Sequence, residues 1–124
     1  MSTPQVFIVD DDPVALMILK KVLAKCDVFP APLSFVNGKQ MLEHLQKSFS
    51  VTGRYVIFLD INMPVMNGWE FLEAASAFAN RDTITVYLVT SSTDETDHNK
   101  AQSYPLVAKF LSKPITLDML NDLQ

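Results

Sequence analysis

The chain has 124 residues, 48% of them hydrophobic, and a formal net charge of −4. That length suits one domain with one core, the lack of any run of about 18 apolar residues excludes a helical membrane span, and an acidic balance with no basic run argues against direct nucleic-acid binding. The opening MSTPQVFIVDDD lacks the basic start and apolar stretch of a secretory signal, and a single cysteine, Cys26, fits a reducing, cytoplasmic setting.

Strand-like and helix-like stretches alternate along the chain. VFIV, Val6 to Val9, is short, apolar and β-prone. Asp12 and Pro13 read as an N-cap with proline at the first helical position. The helix behind them carries Val14, Ile18 and Val22 at four-residue spacing, with Leu19 and Leu23 beside them. APLSFV, Ala31 to Val36, is a second strand that Pro30 and Pro32 push toward a sheet edge. Asn37 caps a second helix with Met41, Leu42, Leu45 and Phe49 on one face. YVIFLD, Tyr55 to Asp60, is apolar at successive positions, which suits a strand covered on both faces. After the turn MPVMNG, which Gly68 serves, a third helix carries Phe71, Leu72, Ala75 and Phe78. ITVYLVT, Ile84 to Thr90, is a fourth strand rich in β-branched residues. Ser92 to Glu95 has the S-x-x-E form of a capping box, ahead of ETDHNKAQSY, a helix with few apolar residues. LVAKFL, Leu106 to Leu111, is a fifth strand, and TLDMLNDL starts a last helix with Leu117, Leu120 and Leu123. His44 and His98 read as solvated helix positions, and Trp69 as core or helix surface.

Five βα units in this length predict an α/β fold: a parallel sheet with helices on both faces and right-handed crossovers. Sites in such sheets form outside the C-terminal strand ends. There the first strand ends on Asp10 and Asp11, the third on Asp60 and the fourth on Thr90, while Ser112, Lys113 and Pro114 follow the fifth. If the first and third strands are neighbours, three carboxylates share one crevice. Two like charges about 4 Å apart repel by roughly 4 kcal/mol at an effective dielectric near 20, and a cation relieves this. Oxygen ligands without His or Cys select a hard ion, Mg²⁺ or Mn²⁺. Mg²⁺ typically takes one or two carboxylates plus a phosphate, so the set is suited to a phosphoryl group. An aspartate can attack phosphorus to form an acyl phosphate, and the transferring group needs cations and donors. The ion, Lys113 and the Thr90 hydroxyl would supply them.

These residues resemble the receiver domain of bacterial two-component response regulators. VDDDP is similar to that family's acidic pair, FLDINMPVMNGWEFL to its phosphoacceptor motif, YLVTSS to its switch hydroxyl and KFLSKP to its lysine–proline, in family order and over essentially the whole chain. The resemblance implies a doubly wound (βα)5, flavodoxin-like single domain over residues 1–124, with strand order 2-1-3-4-5 and no output domain. It implies Asp60 as phosphoacceptor, Asp11 as a direct Mg²⁺ ligand, Asp10 as an acidic partner acting through water, and Asn62 as the donor of a backbone carbonyl to the metal. Thr90 and Lys113 match the phosphoryl-binding pair, and Phe110 the aromatic that swings inward on activation; the Lys113–Pro114 peptide is typically cis. The implied function is a phosphorylation-dependent switch that catalyses only its own phosphorylation and dephosphorylation. A histidine kinase or phosphotransfer protein donates, and a downstream protein reads the face around the fourth helix and fifth strand. Two departures stand out: Phe110 has no hydroxyl, and the segment from Ser91 to Leu106 is polar and rather long. Asn62 and Ser92 are the positions expected to set the lifetime of the acyl phosphate.

Three other readings compete. A pseudo-receiver that docks partners without phosphorylation would not need the acidic pair, Asp60, Thr90 and Lys113 together. A small Mg²⁺ phosphatase of the haloacid-dehalogenase kind uses D-x-D, whereas Asp60 is followed by Ile61 and Asn62, which cannot exchange a proton. A flavin or nucleotide binder would offer backbone N–H groups to phosphate in its first loop, where this chain offers three carboxylates.

Overall fold

The structure, a computed structural model, describes residues 4–26, 29, 31–63, 65–80, 82–91 and 95–123. Strand and helix alternate as β1 (Gln5–Val9), α1 (Pro13–Ala24), β2 (Leu33–Phe35), α2 (Gly38–Ser48), β3 (Tyr55–Asp60), α3 (Gly68–Ala75), β4 (Ile84–Thr90), α4 (Glu95–Ala101), β5 (Val107–Ser112) and α5 (Leu117–Asn121). The strands form one parallel sheet in the order β2-β1-β3-β4-β5, the (βα)5 arrangement expected.

Alternation along the strands divides the core in two. Phe7, Val9, Ile57, Leu59, Val86 and Leu88 face α2 and α3, while Val6, Ile8, Val56, Phe58, Val89 and Leu111 face α1 and α5. β3 lies between β1 and β4 and is buried at all six positions, which is why its sequence shows no polar face. The edge strand β2 is three residues long, with Pro32 just before it; Pro30 lies outside the described residues.

The helix starts follow their caps. The Asp12 carboxylate accepts from the Val14 N–H at 3.0 Å with Pro13 in the first turn, and Asn37 accepts from Gln40 at 2.8 Å. The capping box suggested at Ser92–Glu95 involves residues outside those described; a complete one forms at Asn67 and Glu70, each side chain bonded to the other's backbone N–H.

Three expectations are corrected. In α1 the buried row is Leu16, Leu19 and Leu23, while Val14 and Ile18 are 55% and 42% exposed. A four-residue row drifts by about 40° per step around a helix, so Val14–Ile18–Val22 turns toward the core only at its lower end. Ser112 is the last residue of β5, paired with Thr90, and does not follow the strand. His44 is half-buried, its ring against Phe35 and Phe7 with centroids 5.2 and 5.5 Å away. In addition, Val86 pairs with Val107 but Tyr87 pairs with Lys109, leaving Ala108 as an extra residue. A bulge of this kind on an edge strand blunts further strand pairing.

Candidate functional site

Four adjacent strands deliver one group each to the same end of the sheet. Asp10 stands just beyond β1, Asp60 ends β3, Thr90 ends β4 and Lys113 follows β5. Asp10, Asp60 and Thr90 are buried, and Asp11 is exposed. One carboxylate oxygen from each of Asp10, Asp11 and Asp60 lies within 4.8 Å of the others.

Lys113 crosses the site. Its ammonium donates to Asp10 Oδ2 at 2.6 Å and stands 3.8 Å from Asp60 Oδ2. The other Asp10 oxygen, Oδ1, accepts the Asp12 N–H at 2.9 Å, so Asp10 is fixed at both ends. Burial and the Asp10 charge push the Asp60 pKa up to about 6, against the lowering effect of Lys113 and of a hydrogen bond from the Asn62 backbone N–H. For Lys113 burial acts to lower the pKa, but the hydrogen bond to Asp10 and the charges of Asp60, Asp10 and Asp12 outweigh it and raise the value. Thr90 is fully buried, and its carbonyl accepts the Lys113 N–H at 2.9 Å. The Lys113–Pro114 peptide is cis.

The loop after Asp60 is held by close backbone packing. The Gly68 N–H donates to the Ile61 carbonyl at 2.8 Å, and a Cβ on Gly68 would lie 2.7 Å from the Asp60 carbonyl oxygen. Glycine is therefore required at the start of α3 for contact rather than for unusual dihedrals. Across the loop, a Cβ on Gly38 would meet the Met66 carbonyl at 2.9 Å. Between these contacts Val65 adopts φ 74°, a left-handed conformation that is a clear outlier for a β-branched residue.

Phe110 takes a different surrounding from the acid cluster. Its ring packs over His98 of α4 with centroids 3.8 Å apart and planes inclined by 30°, and it is partly buried against the α2–α3 side of the core. His98 is exposed, as its sequence position suggests, yet it has this ring partner. The sequence reading also missed the Lys113–Asp10 pair, the Gly68 contact and the Val65 conformation. Of these, only Gly68 carried a local signal, standing next to a capping asparagine.

Two buried carboxylates, one exposed carboxylate and one ammonium leave a net negative, all-oxygen cluster. That donor set and charge fit a hard divalent cation, with Asp10, Asp11 and Asp60 as the side chains able to hold it. A buried carboxylate, a neighbouring ammonium and a buried threonine on the next strand are groups of the kind that phosphoryl transfer uses.

A profile for the response regulator receiver domain matches residues 6–123. No match was found among curated protein sequences. Solved structures do match. A two-component response regulator from Cytophaga hutchinsonii is 28% identical, with a TM-score of 0.86 over 99% of this chain and 95% of that one. A response regulator receiver protein from Dyadobacter fermentans is 28% identical, with a TM-score of 0.84 over 96% and 93%. A CheY-like receiver domain protein from Methanospirillum hungatei is 27% identical, with a TM-score of 0.72 over 98% and 91%.

Proposed function

The chain belongs to the response regulator receiver domain family, and on that premise we propose that it is a phosphorylation-dependent signalling switch whose acceptor is Asp60. The observation that carries this reading is the meeting of Asp10, Asp11, Asp60 and Lys113 at one end of the sheet, with carboxylate oxygens within 4.8 Å and the ammonium 3.8 Å from Asp60.

The donor is a phosphohistidine on a sensor kinase or phosphotransfer protein. An Asp60 oxygen attacks phosphorus, the P–N bond breaks, the leaving imidazole keeps the electron pair, and Asp60 becomes an acyl phosphate. With a pKa near 6, Asp60 is mostly ionised at neutral pH and can act as the nucleophile. Lys113 supplies positive charge to the transferring oxygens, and the Thr90 hydroxyl donates to one of them. Asp10, Asp11, Asp60 and the Asn62 carbonyl would hold Mg²⁺, or Mn²⁺ in its place. When bound, the ion neutralises charge developing on the phosphoryl oxygens. Water later cleaves the acyl phosphate, so the chain catalyses only its own phosphorylation and dephosphorylation.

The donor has a place to dock. Val14, Met17 and Ile18 of α1 are exposed, and Val14, Ala15, Ile18, Val89, Pro114 and Ile115 line an apolar groove that continues onto Asp10 and Lys113. A downstream protein target reads the surface of α4 and β5, where Phe110 lies. Among the described residues no helix is long and apolar enough to cross a membrane. The buried thiol of Cys26 suits a cytoplasmic setting.

The test is incubation with acetyl phosphate, with and without Mg²⁺, read by intact mass beside Asp60→Asn. The reading expects a gain of one phosphoryl group that requires both Mg²⁺ and Asp60. A gain that survives Asp60→Asn would place the acceptor elsewhere.

A further inference from the structure

α4 carries no large apolar residue. α5, five residues long, has one buried side chain, Leu120, but also packs Leu117 and Met119 against the core. α4 has seven residues, and Ala101 is its one buried side chain. α2 of the same layer buries Met41, Leu42 and Leu45, and α3 buries Phe71, Leu72 and Ala75. A helix this short with so little buried apolar surface is not stable from propensity, so something other than the core must hold it.

Ring contacts stand on both of its flanks. On one side His98 packs over Phe110 of β5 at 3.8 Å between centroids. On the other, the Lys100 ammonium lies 4.8 Å from the centre of the Trp69 ring of α3. Tyr104, just past the helix, stacks on that same ring at 5.6 Å, and its hydroxyl donates to Glu73 of α3 at 3.1 Å. His98 and Lys100 are exposed, and Trp69, Tyr104 and Phe110 are half-buried, so these contacts lie at the surface, where water can replace them.

We infer that α4 is held by a two-sided ring clamp, His98 on Phe110 and Lys100 with Tyr104 on Trp69, and that it releases from the domain as a unit without unfolding the sheet. Each contact is of modest strength, and elements secured this way open locally far more often than core strands do. The anchors give the clamp its place in the molecule. Phe110 stands three residues before Lys113, and Trp69 directly follows Gly68, which abuts the Asp60 carbonyl. The inference concerns attachment alone and stands independently of whether Asp60 is phosphorylated.

Amide hydrogen exchange read by peptide mass spectrometry tests it on the full chain and on His98→Ala, Lys100→Gln and the double variant. Alanine is a better helix former than histidine, so intrinsic propensity works against the expected effect. Peptides covering 95–104 should exchange about three- to ten-fold faster in each single variant and faster still in the double, while peptides of β1 and β3 keep wild-type protection. His98→Phe, which keeps a ring over Phe110, should restore protection. Unchanged exchange across 95–104, or a loss spread equally over β1 and β3, would overturn the clamp.

Discussion

Asp60 keeps a carboxylate in a nearly closed site beside Asp10, and burial together with that neighbour lifts its pKa to about 6 from an ordinary 3.8. The folded chain therefore binds this proton more tightly than the unfolded chain does. Stability contributed by the group is present at low pH and is lost as pH rises from about 4 through about 6. Asp60→Asn should remove that slope and raise the unfolding free energy at pH 7 by about 1–3 kcal/mol. Urea titrations of both proteins across this range decide it: a variant no more stable than wild type at pH 7 would show that Asp10 and burial do not strain Asp60. Saturating Mg²⁺ should narrow the gap, because an ion bound only to the folded wild type stabilises it by mass action. Val65 is strained for a different reason. Its φ of 74° costs a β-branched residue about 1–2 kcal/mol, a penalty that asparagine largely escapes. Val65 is 74% exposed, so little packing is lost, and Val65→Asn should raise the unfolding free energy by about 0.5–1 kcal/mol. Equal stability of the two proteins would mean the loop relaxes without strain. Gly68→Ala should act the other way: its Cβ would press on the Asp60 carbonyl at 2.7 Å, and weaker Mg²⁺ binding by isothermal titration is the expected sign.

Among the elements, α3 is a short helix of eight residues that starts on a complete capping box. Asn67→Ala should cost about 1 kcal/mol, visible as a lower thermal midpoint, while Glu70→Gln, which can still accept the Asn67 N–H, should cost much less. Equal losses would point to the Glu70 charge rather than the reciprocal bonds. The strands were legible because their signals are local: β3 is an unbroken apolar run ending at Asp60, and β4 spans Ile84–Thr90 as its β-branched residues suggest. That Asp10, Asp60, Thr90 and Lys113 would meet was legible for a related reason, since each stands at or just after the end of a readable strand and the parallel order brings those ends together. What could not be read depends on partners far away in sequence. The buried row of α1 is set by the phase at which Asp12 and Pro13 start the helix against the sheet. The extra residue at Ala108 exists only relative to β4. The Lys113–Asp10 pair joins residues 103 positions apart, and the His98–Phe110 stack depends on how a nearly coreless helix settles on β5.

At the scale of the whole molecule, the sheet is a rigid plate between two unequal layers. α1 and α5 share one continuous core with Val6, Ile8, Phe58 and Leu111, whereas the opposite layer grades from the well-packed α2 and α3 to the lightly held α4. A charge change at Asp60 meets stiff resistance from the strands and from α1. It meets little from α4, whose anchors Trp69 and Phe110 stand on the segments that carry Gly68 and Lys113. A two-state response to phosphorylation is therefore expected at α4 before anywhere else. Trp69 is the sole tryptophan, with Lys100 and Tyr104 against its ring, so its emission reports on this contact. Adding acetyl phosphate and Mg²⁺ to the wild type should change Trp69 emission in step with the mass gain at Asp60, and should leave Asp60→Asn unchanged. In Lys100→Gln the resting emission should already be shifted, and the phosphorylation-dependent change should be smaller. Full phosphorylation by mass with no change at Trp69 would show that α4 holds its place and that the charge is read on another face.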